Sequence, residues 1–168
     1  MKKLSILFLL VFTLVGCAQS PSEEPTTTYF FIRHAEKDLS DPSNKNPKLT
    51  QEGKTRAQEW AKTLAETKVD LVFSTNYSRT LQTAEPIAKS QGIETLLYDP
   101  RNLNDSNFQQ KTKGKTCVIV GHSNTTPSFV NKIIGKEKYS SIDEKDYSKL
   151  YIINITGNTI TDTVLTIN

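Results

Sequence analysis

Short apolar runs alternate with longer segments of mixed polarity along most of the chain. Consecutive apolar residues over a few positions, bounded by polar residues, predict buried β-strands. Such strands are typical of a parallel sheet that is covered on both faces. The four predicted strands are TTYFFIR (27–33), DLVFST (70–75), IETLLYD (93–99) and TCVIVGH (116–122).

Two of the intervening segments carry the spacing of an amphipathic helix. Residues 49–66 place Trp60 on an apolar face and offer Thr50 as the N-cap. Residues 78–92 have the same periodicity, but they contain Pro86, which is expected to bend or interrupt the helix.

The last part of the chain predicts one short helix and a β-hairpin. Residues 127–135 begin with Pro127 and end at Gly135, as a short helix does. Residues 149–168 form two β-rich runs around TGNT, which is a hairpin signal. Strands that alternate with helices predict an α/β fold: a mainly parallel sheet with helices on both faces and the C-terminal β-hairpin at one edge.

The N-terminal segment is expected to be a targeting signal and no part of the fold. In residues 1–16 two lysines precede an apolar run that is short for a membrane span. The ending LVGC resembles a bacterial lipobox, which implies that Cys17 is lipidated and anchors the chain outside the cytoplasm, in the periplasm or on the cell surface. The alternative is a plain secretory signal. Residues 17–26 then form a flexible tether and residues 27–168 the folded domain.

The charge and the cysteine content limit which partners and which disulfides are expected. The formal net charge of +3 falls to +1 when Lys2 and Lys3 leave with the signal, and the basic residues form no stripe. Nucleic acid is therefore not expected as a partner. If Cys17 is lipidated, Cys117 is the remaining thiol, so no intramolecular disulfide forms and a buried, inert role is expected. The domain is expected to be monomeric.

The two histidines of the chain each follow an apolar run, and other functional groups occupy equivalent positions. Open α/β sheets bind ligands outside the carboxyl ends of their strands. We therefore expect one site that gathers the groups at the four strand ends. These are Arg33 and His34 after the first strand, Arg79 after the second, Asp99 at the end of the third, and His122 at the end of the fourth.

These residue types suit phosphoryl chemistry. Guanidinium forks match phosphate oxygens bidentately. A neutral imidazole is a nucleophile toward phosphorus, and a second, protonated imidazole stabilises charge on the transferring group. A carboxylic acid protonates the leaving oxygen.

Several sequence blocks resemble the histidine phosphatase superfamily, also called phosphoglycerate mutase-like. RHAEK is similar to its RHG motif, with Ala35 in place of the usual glycine. STNYSRTLQTA (74–84), VIVGHS (118–123) and LTQEGKTRA (49–57) resemble further blocks. The resemblance implies that His34 is the phosphorylated nucleophile, that Arg33, Arg79 and His122 hold the phosphoryl group, and that no metal or other cofactor is needed.

More than one candidate remains for the general acid and for the function of the protein. Asp99 is preferred as the acid over Asp105 because it ends a strand, and Ser123 either contacts substrate or forms a turn. The short connection between Asp99 and Thr116 leaves no insertion to roof the pocket, which favours a phosphomonoester hydrolase. A mutase-type transferase and a protein that binds phosphorylated ligands without turnover are the alternatives. The expected substrate is a phosphorylated small molecule or a phosphoprotein.

Overall fold

The computed structural model describes residues 24–167, in which six strands form one sheet in the order β3-β2-β4-β1-β5-β6. In chain order the elements are β1 (Thr27–Arg33), α1 (Gln51–Thr63), β2 (Leu71–Ser74), α2 (Ser78–Ser90), β3 (Thr95–Leu97), α3 (Ser106–Thr112), β4 (Thr116–Gly121), α4 (Thr125–Ile134), β5 (Lys149–Thr156) and β6 (Thr159–Thr166). The strands β3, β2, β4 and β1 are parallel neighbours, whereas β5 and β6 are antiparallel. The predicted α/β fold with a C-terminal hairpin at one edge is confirmed.

Both faces of the parallel part of the sheet are buried, because successive side chains of a strand point to opposite sides. On one face Phe31 and Ile119 pack with Phe108 of α3 and Phe129 of α4. The other face packs against α1 and α2 through Ile32, Val118, Val120, Trp60, Leu64, Ala84, Ile87 and Ala88. The strands are therefore rigid supports whose polar ends project beyond the core.

The first long helix begins and packs as its sequence predicts. Thr50 caps α1, since its side chain accepts a hydrogen bond from the Gly53 N–H at 3.0 Å. Trp60 is 3% exposed and lies in the core. The helix ends at Thr63, three residues before the predicted end at residue 66.

Of the two expected effects of Pro86 on α2, a bend or an interruption, the interruption does not occur. The helix runs from Ser78 to Ser90 with Pro86 inside it. Its last turn remains in place because Ile87 and Ala88, directly after the proline, are buried against the sheet. Packing of this kind outweighs the loss of one backbone hydrogen bond.

The segment between β3 and β4 differs from the prediction. The third strand ends at Leu97, two residues before Asp99, which leaves that aspartate on a turn. Asp105 instead caps α3, where its side chain accepts a hydrogen bond from the Phe108 N–H at 2.7 Å. This short helix was not predicted.

The fourth helix begins earlier than predicted, at Thr125, two residues before Pro127. Its C-cap is Gly135, whose φ of 70° lies in the left-handed region that glycine adopts without strain. The predicted end of this helix is therefore confirmed.

Part of the N-terminal prediction lies outside the described residues. The predicted signal peptide (1–16) and Cys17 fall there, and only residues 24–26 of the tether are described. No helix within residues 24–167 has the length and apolar character needed to cross a membrane. Cys117 is buried, as predicted, and burial raises the pKa of its thiol to about 12.

A close backbone approach fixes α1 against the end of β1. A methyl group added at Gly53 would lie 2.2 Å from the Glu36 carbonyl oxygen, which also accepts a hydrogen bond from the Thr50 N–H. We expect Gly53→Ala to lower the free energy of unfolding by about 1–3 kcal/mol, because the helix must move away from this backbone. Urea denaturation measures the loss, and Lys54→Ala on the exposed face of α1 is the control. An unchanged midpoint in Gly53→Ala would contradict this interpretation.

Candidate active site

The pairing of β1 with β4 brings the two histidines together. Arg33 lies opposite Gly121 in the parallel register, so His34 and His122 follow equivalent positions on adjacent strands. The His34 N–H extends the ladder by donating to the Gly121 carbonyl at 2.9 Å. The two ring centroids are 5.5 Å apart with an interplanar angle of 70°.

His34 is held as a neutral imidazole with a defined tautomer. Its Nδ1 lies 2.8 Å from the carbonyl oxygen of Ala35, which can only accept, so Nδ1 carries the proton. The other ring nitrogen, Nε2, therefore keeps its lone pair. Burial, followed by the nearby charges of Arg33 and Arg79, lowers the pKa of His34 to about 3. His34 is therefore unprotonated at neutral pH.

His122 is neutral at physiological pH as well. A guanidinium only donates, so the Arg79 NH2 group at 3.3 Å donates to Nδ1. The remaining N–H, on Nε2, then donates to Thr75 Oγ1 at 2.9 Å. Burial lowers the pKa of His122 most strongly. The positive charges of Arg79, Lys37 and Arg33 lower it further, to about 4. The sequence expectation of a protonated second histidine is therefore not met.

Two guanidinium groups have buried donors without an acceptor. Among the described residues, Nε of Arg79 and Nε of Arg33 make no hydrogen bond. Arg79 lies in the first turn of α2, with its guanidinium carbon 4.6 Å from the ring centroid of Tyr77. Because buried donors are normally satisfied, the missing acceptors fit an anion-binding site.

Arg33 also holds a distant loop, which its sequence position did not predict. It is 2% exposed, and its NH1 group donates to the carbonyl oxygens of Asp143 at 2.7 Å and Asp146 at 3.1 Å. Its NH2 group donates to Glu144 Oε2 at 2.7 Å, and its guanidinium stacks on Tyr147. Arg33 therefore holds the segment 143–147, and it acts on His34 through its charge without lining the cavity at the two histidines.

A cavity of about 310 Å³ opens at the two histidines. Ser123 lines it, which favours the first of the two expectations for this residue. Asn124 lines it too and caps α4. The complete lining consists of His34, Lys37, Tyr77, Arg79, Pro100, His122, Ser123, Asn124, Thr125 and Glu144.

Neither predicted acid lies in this cavity. Asp99 is exposed and forms a bidentate pair with Arg101, with contacts of 2.9 and 2.8 Å to Nε and NH2. Hydrogen bonds from Arg101 lower the pKa of Asp99 to about 2. Asp105 is the N-cap of α3. The expectation that Asp99 joins the site is therefore corrected, because β3 ends early and Arg101 holds the carboxylate on the turn.

Lys37 and Glu144 line the cavity although sequence reasoning did not assign them to it. Lys37 follows the RHAE motif, and a bridge to Leu49 fixes its backbone. The neighbouring Glu36 bonds instead to Arg56 at 2.6 Å on α1, which separates the two adjacent charges. The signal for Lys37 was its adjacency to the motif, whereas Glu144, in a loop, had no signal.

Residues of the second sequence block hold the motif loop in place. Thr83 Oγ1 accepts from the Ala35 N–H at 3.0 Å and donates to the Arg79 carbonyl at 2.8 Å. Gln82 accepts from the Leu49 N–H at 2.8 Å. The Ala35 methyl group is buried, so this replacement of the usual glycine is accommodated. Within residues 24–167, no group of three or more His, Cys, Asp or Glu side chains could hold a metal ion.

Comparison with known families agrees with this geometry. A family model of the histidine phosphatase superfamily (branch 1) matches residues 29–108, which include His34 and Arg79. No curated protein matches the sequence. Residues 29–108 therefore match the histidine phosphatase superfamily. This family and its site support a phosphatase with a phosphorylated substrate.

Solved structures share the fold at low sequence identity. The SixA protein of Agrobacterium tumefaciens is 19% identical, with a TM-score of 0.63 over 84% of this chain and 99% of that chain. The protein histidine phosphatase SixA complexed with tungstate is 13% identical, with a TM-score of 0.64 over 83% and 96%. A phosphoserine phosphatase mutant of Entamoeba histolytica, complexed with phosphoserine, is 15% identical, with a TM-score of 0.63 over 82% and 95%.

The charge states of the histidines can be measured directly. In a two-dimensional NMR titration we expect both imidazoles of the free protein to stay neutral down to about pH 5, and added inorganic phosphate to raise the pKa of His122 because it introduces negative charge. Since the unfolded state binds protons near pH 6.5 and the folded state does not, stability should fall as the pH decreases below about 6.5. Ordinary pKa values near 6.5 for both histidines would contradict this assignment.

Proposed function

We propose that the protein is a phosphomonoester hydrolase that works through a phosphohistidine on His34. The observation that carries the proposal is the state of this imidazole. Its Nδ1–H is bonded to the Ala35 carbonyl, which leaves a lone pair on Nε2 beside two guanidinium groups. An unprotonated nitrogen nucleophile next to groups that bind an anion is the arrangement that attack on phosphorus requires.

The reaction has two steps. His34 Nε2 attacks phosphorus in line, the bond from phosphorus to the leaving oxygen breaks, and that oxygen takes up a proton. Water then attacks the phosphohistidine, which releases inorganic phosphate and restores the imidazole. Arg79 holds the phosphoryl group throughout, together with His122, which becomes protonated when the dianion binds and stabilises its charge.

Access of water favours hydrolysis over transfer to a second substrate. The connection from β3 to β4 contains only the short helix α3, so no long insertion at this point covers the cavity. The side chain of Glu144 is 67% exposed although it lines the cavity, so solvent reaches the site. A mutase-type transferase must exclude this water.

The substrate class follows from the chemistry that the site recognises. Two guanidinium groups and an imidazole select a phosphoryl dianion, whatever group carries it. Structures with this fold include a protein histidine phosphatase and a phosphoserine phosphatase. We propose a phosphorylated small molecule or a phosphoprotein as the substrate, with no metal or other cofactor in the reaction.

We further propose that the enzyme works outside the cytoplasm as a lipoprotein. The apolar run and the sequence LVGC support cleavage before Cys17 and lipidation of that residue. Lipid on the N-terminal cysteine anchors the folded domain through the tether.

The nucleophile assignment is tested by substitution and by chemical trapping. His34→Ala should lose at least about 10³-fold in kcat/KM for 4-nitrophenyl phosphate, because the reaction loses its covalent step. Acid quenching of the wild type during turnover should trap phosphohistidine, whereas the variant should show none. Gln58→Ala, exposed on α1, is the matched control. Retained turnover in a folded His34→Ala protein would refute the nucleophile.

Trapping also separates the alternatives. A protein that only binds phosphorylated ligands would yield no phosphohistidine at any time. A mutase-type transferase would place the phosphoryl group on an added acceptor alcohol in preference to water. Analysis of the products by mass spectrometry distinguishes these outcomes.

The anchor is tested independently of catalysis. Cys17→Ala, expressed from the full chain, should leave the membrane fraction for the soluble fraction, because it removes the site of lipid attachment. Immunoblotting of fractionated cells measures the distribution, and Cys117→Ala controls for the loss of a thiol. A Cys17→Ala protein that remains bound to the membrane would show that the anchor lies elsewhere.

A further inference from the structure

The cavity of about 310 Å³ at the two histidines is called the phosphate cavity below. Among the described residues, Glu144 is the one carboxylate that lines it. We propose that Glu144 is the proton donor to the leaving group, an inference that rests on the proposed phosphatase function. It replaces Asp99 and Asp105, whose side chains the structure places on Arg101 and at the N-terminus of α3.

The contacts of Glu144 place it beside the transferring phosphoryl group. Oε2 accepts from Arg33 NH2 at 2.7 Å, and Oε1 accepts from the Ser123 hydroxyl. Both donors belong to sequence blocks that surround the histidines. In the free site the carboxylate therefore occupies donors that suit a phosphate oxygen, and bound substrate comes into contact with it.

The position of Glu144 between two cavities suits a contact with the bridging oxygen of the substrate. A groove of about 1110 Å³ adjoins the phosphate cavity, and Lys37 and Glu144 line both. A phosphoryl group beside His34 with its leaving group in the groove has its bridging oxygen at this junction. That oxygen is the atom that requires a proton when its bond to phosphorus breaks.

Substrate binding supplies the reason why this carboxylate becomes protonated. In the free site the hydrogen bond from Ser123, and then the charges of Arg33 and Lys37, lower the pKa of Glu144. A phosphoryl dianion competes for Arg33 and Ser123, so the carboxyl group loses its donors and gains a negative neighbour. Both changes raise its pKa. The exposed side chain can take up a proton from solvent and move without unpacking the core.

The proton transfer balances over the two steps. As the Nε2–P bond of His34 forms, the P–O bond breaks and its electron pair remains on the leaving oxygen. This oxygen takes the proton from the Glu144 carboxyl group, which becomes a carboxylate. In the second step the carboxylate accepts a proton from the attacking water, and the phosphohistidine bond breaks.

Two esters with different leaving groups test the assignment. In Glu144→Gln, whose amide oxygen can still accept from Arg33 while its NH2 group donates to the Ser123 hydroxyl, kcat/KM for ethyl phosphate should fall by about 10²–10⁴-fold. For 4-nitrophenyl phosphate it should fall by less than about 10-fold, because nitrophenolate leaves without a proton. The smaller change also verifies that the variant is folded. Glu85→Gln is the matched control, since Glu85 is exposed on α2 and lines neither the groove nor the phosphate cavity.

Several results would overturn the assignment. If Glu144→Gln slows the hydrolysis of both esters equally, Glu144 contributes to phosphate binding alone. If the variant hydrolyses both esters faster, the Glu144 carboxylate only competes with the phosphate group for Arg33 and Ser123. Loss of ethyl phosphate turnover in Asp99→Asn would return the role to Asp99. A wild type that cleaves the nitrophenyl ester but not the ethyl ester would exclude a protein proton donor. A wild type without turnover of either ester would instead refute the proposed function itself.

Discussion

The parallel pairing of β1 with β4, with Arg33 opposite Gly121, fixes both imidazoles at once. Each histidine directly follows its strand, so the separation of the rings is set by the spacing of neighbouring strands. A slip of one residue in this register would turn one ring to the opposite face of the sheet. The aromatic and aliphatic core on both faces prevents such a slip, because it would expose buried side chains on β1. The relative position of the two histidines is therefore maintained by the packing of the core around β1 and β4.

Positive charge and burial together determine the protonation of the site. Burial removes water from the imidazoles, and the neighbouring guanidinium groups disfavour a further cation, so both rings remain neutral. The same cations attract an anion whose charge then reverses the effect at His122. In the proposed reaction, one set of residues thus keeps His34 unprotonated before substrate binds and stabilises negative charge afterwards. The single carboxylate in the described cavity wall lies on Arg33, where it moderates this charge.

The parts of the fold that follow from local pattern could be predicted from the sequence. Buried strands such as β1 and β4 consist of consecutive apolar residues, and their carboxyl ends identified His34, Arg79 and His122. The helix α3 could not be predicted, because its seven residues carry almost no apolar period. Asp99 was misplaced because its position depends on where β3 ends and on a side chain two residues away. Glu144 could not be found because it meets Arg33 only through tertiary contact, 111 residues further along the chain.

The direction of β1 determines which way the candidate active site faces. The preceding chain joins the domain at Thr27, at the amino end of this seven-residue strand, and the pocket lies beyond the carboxyl end, about 20 Å away. A domain held through its N-terminal segment therefore turns its open mouth away from the point of attachment. On a bilayer this polarity would favour ligands that arrive from the aqueous side, including bulky ones, over headgroups in the supporting leaflet.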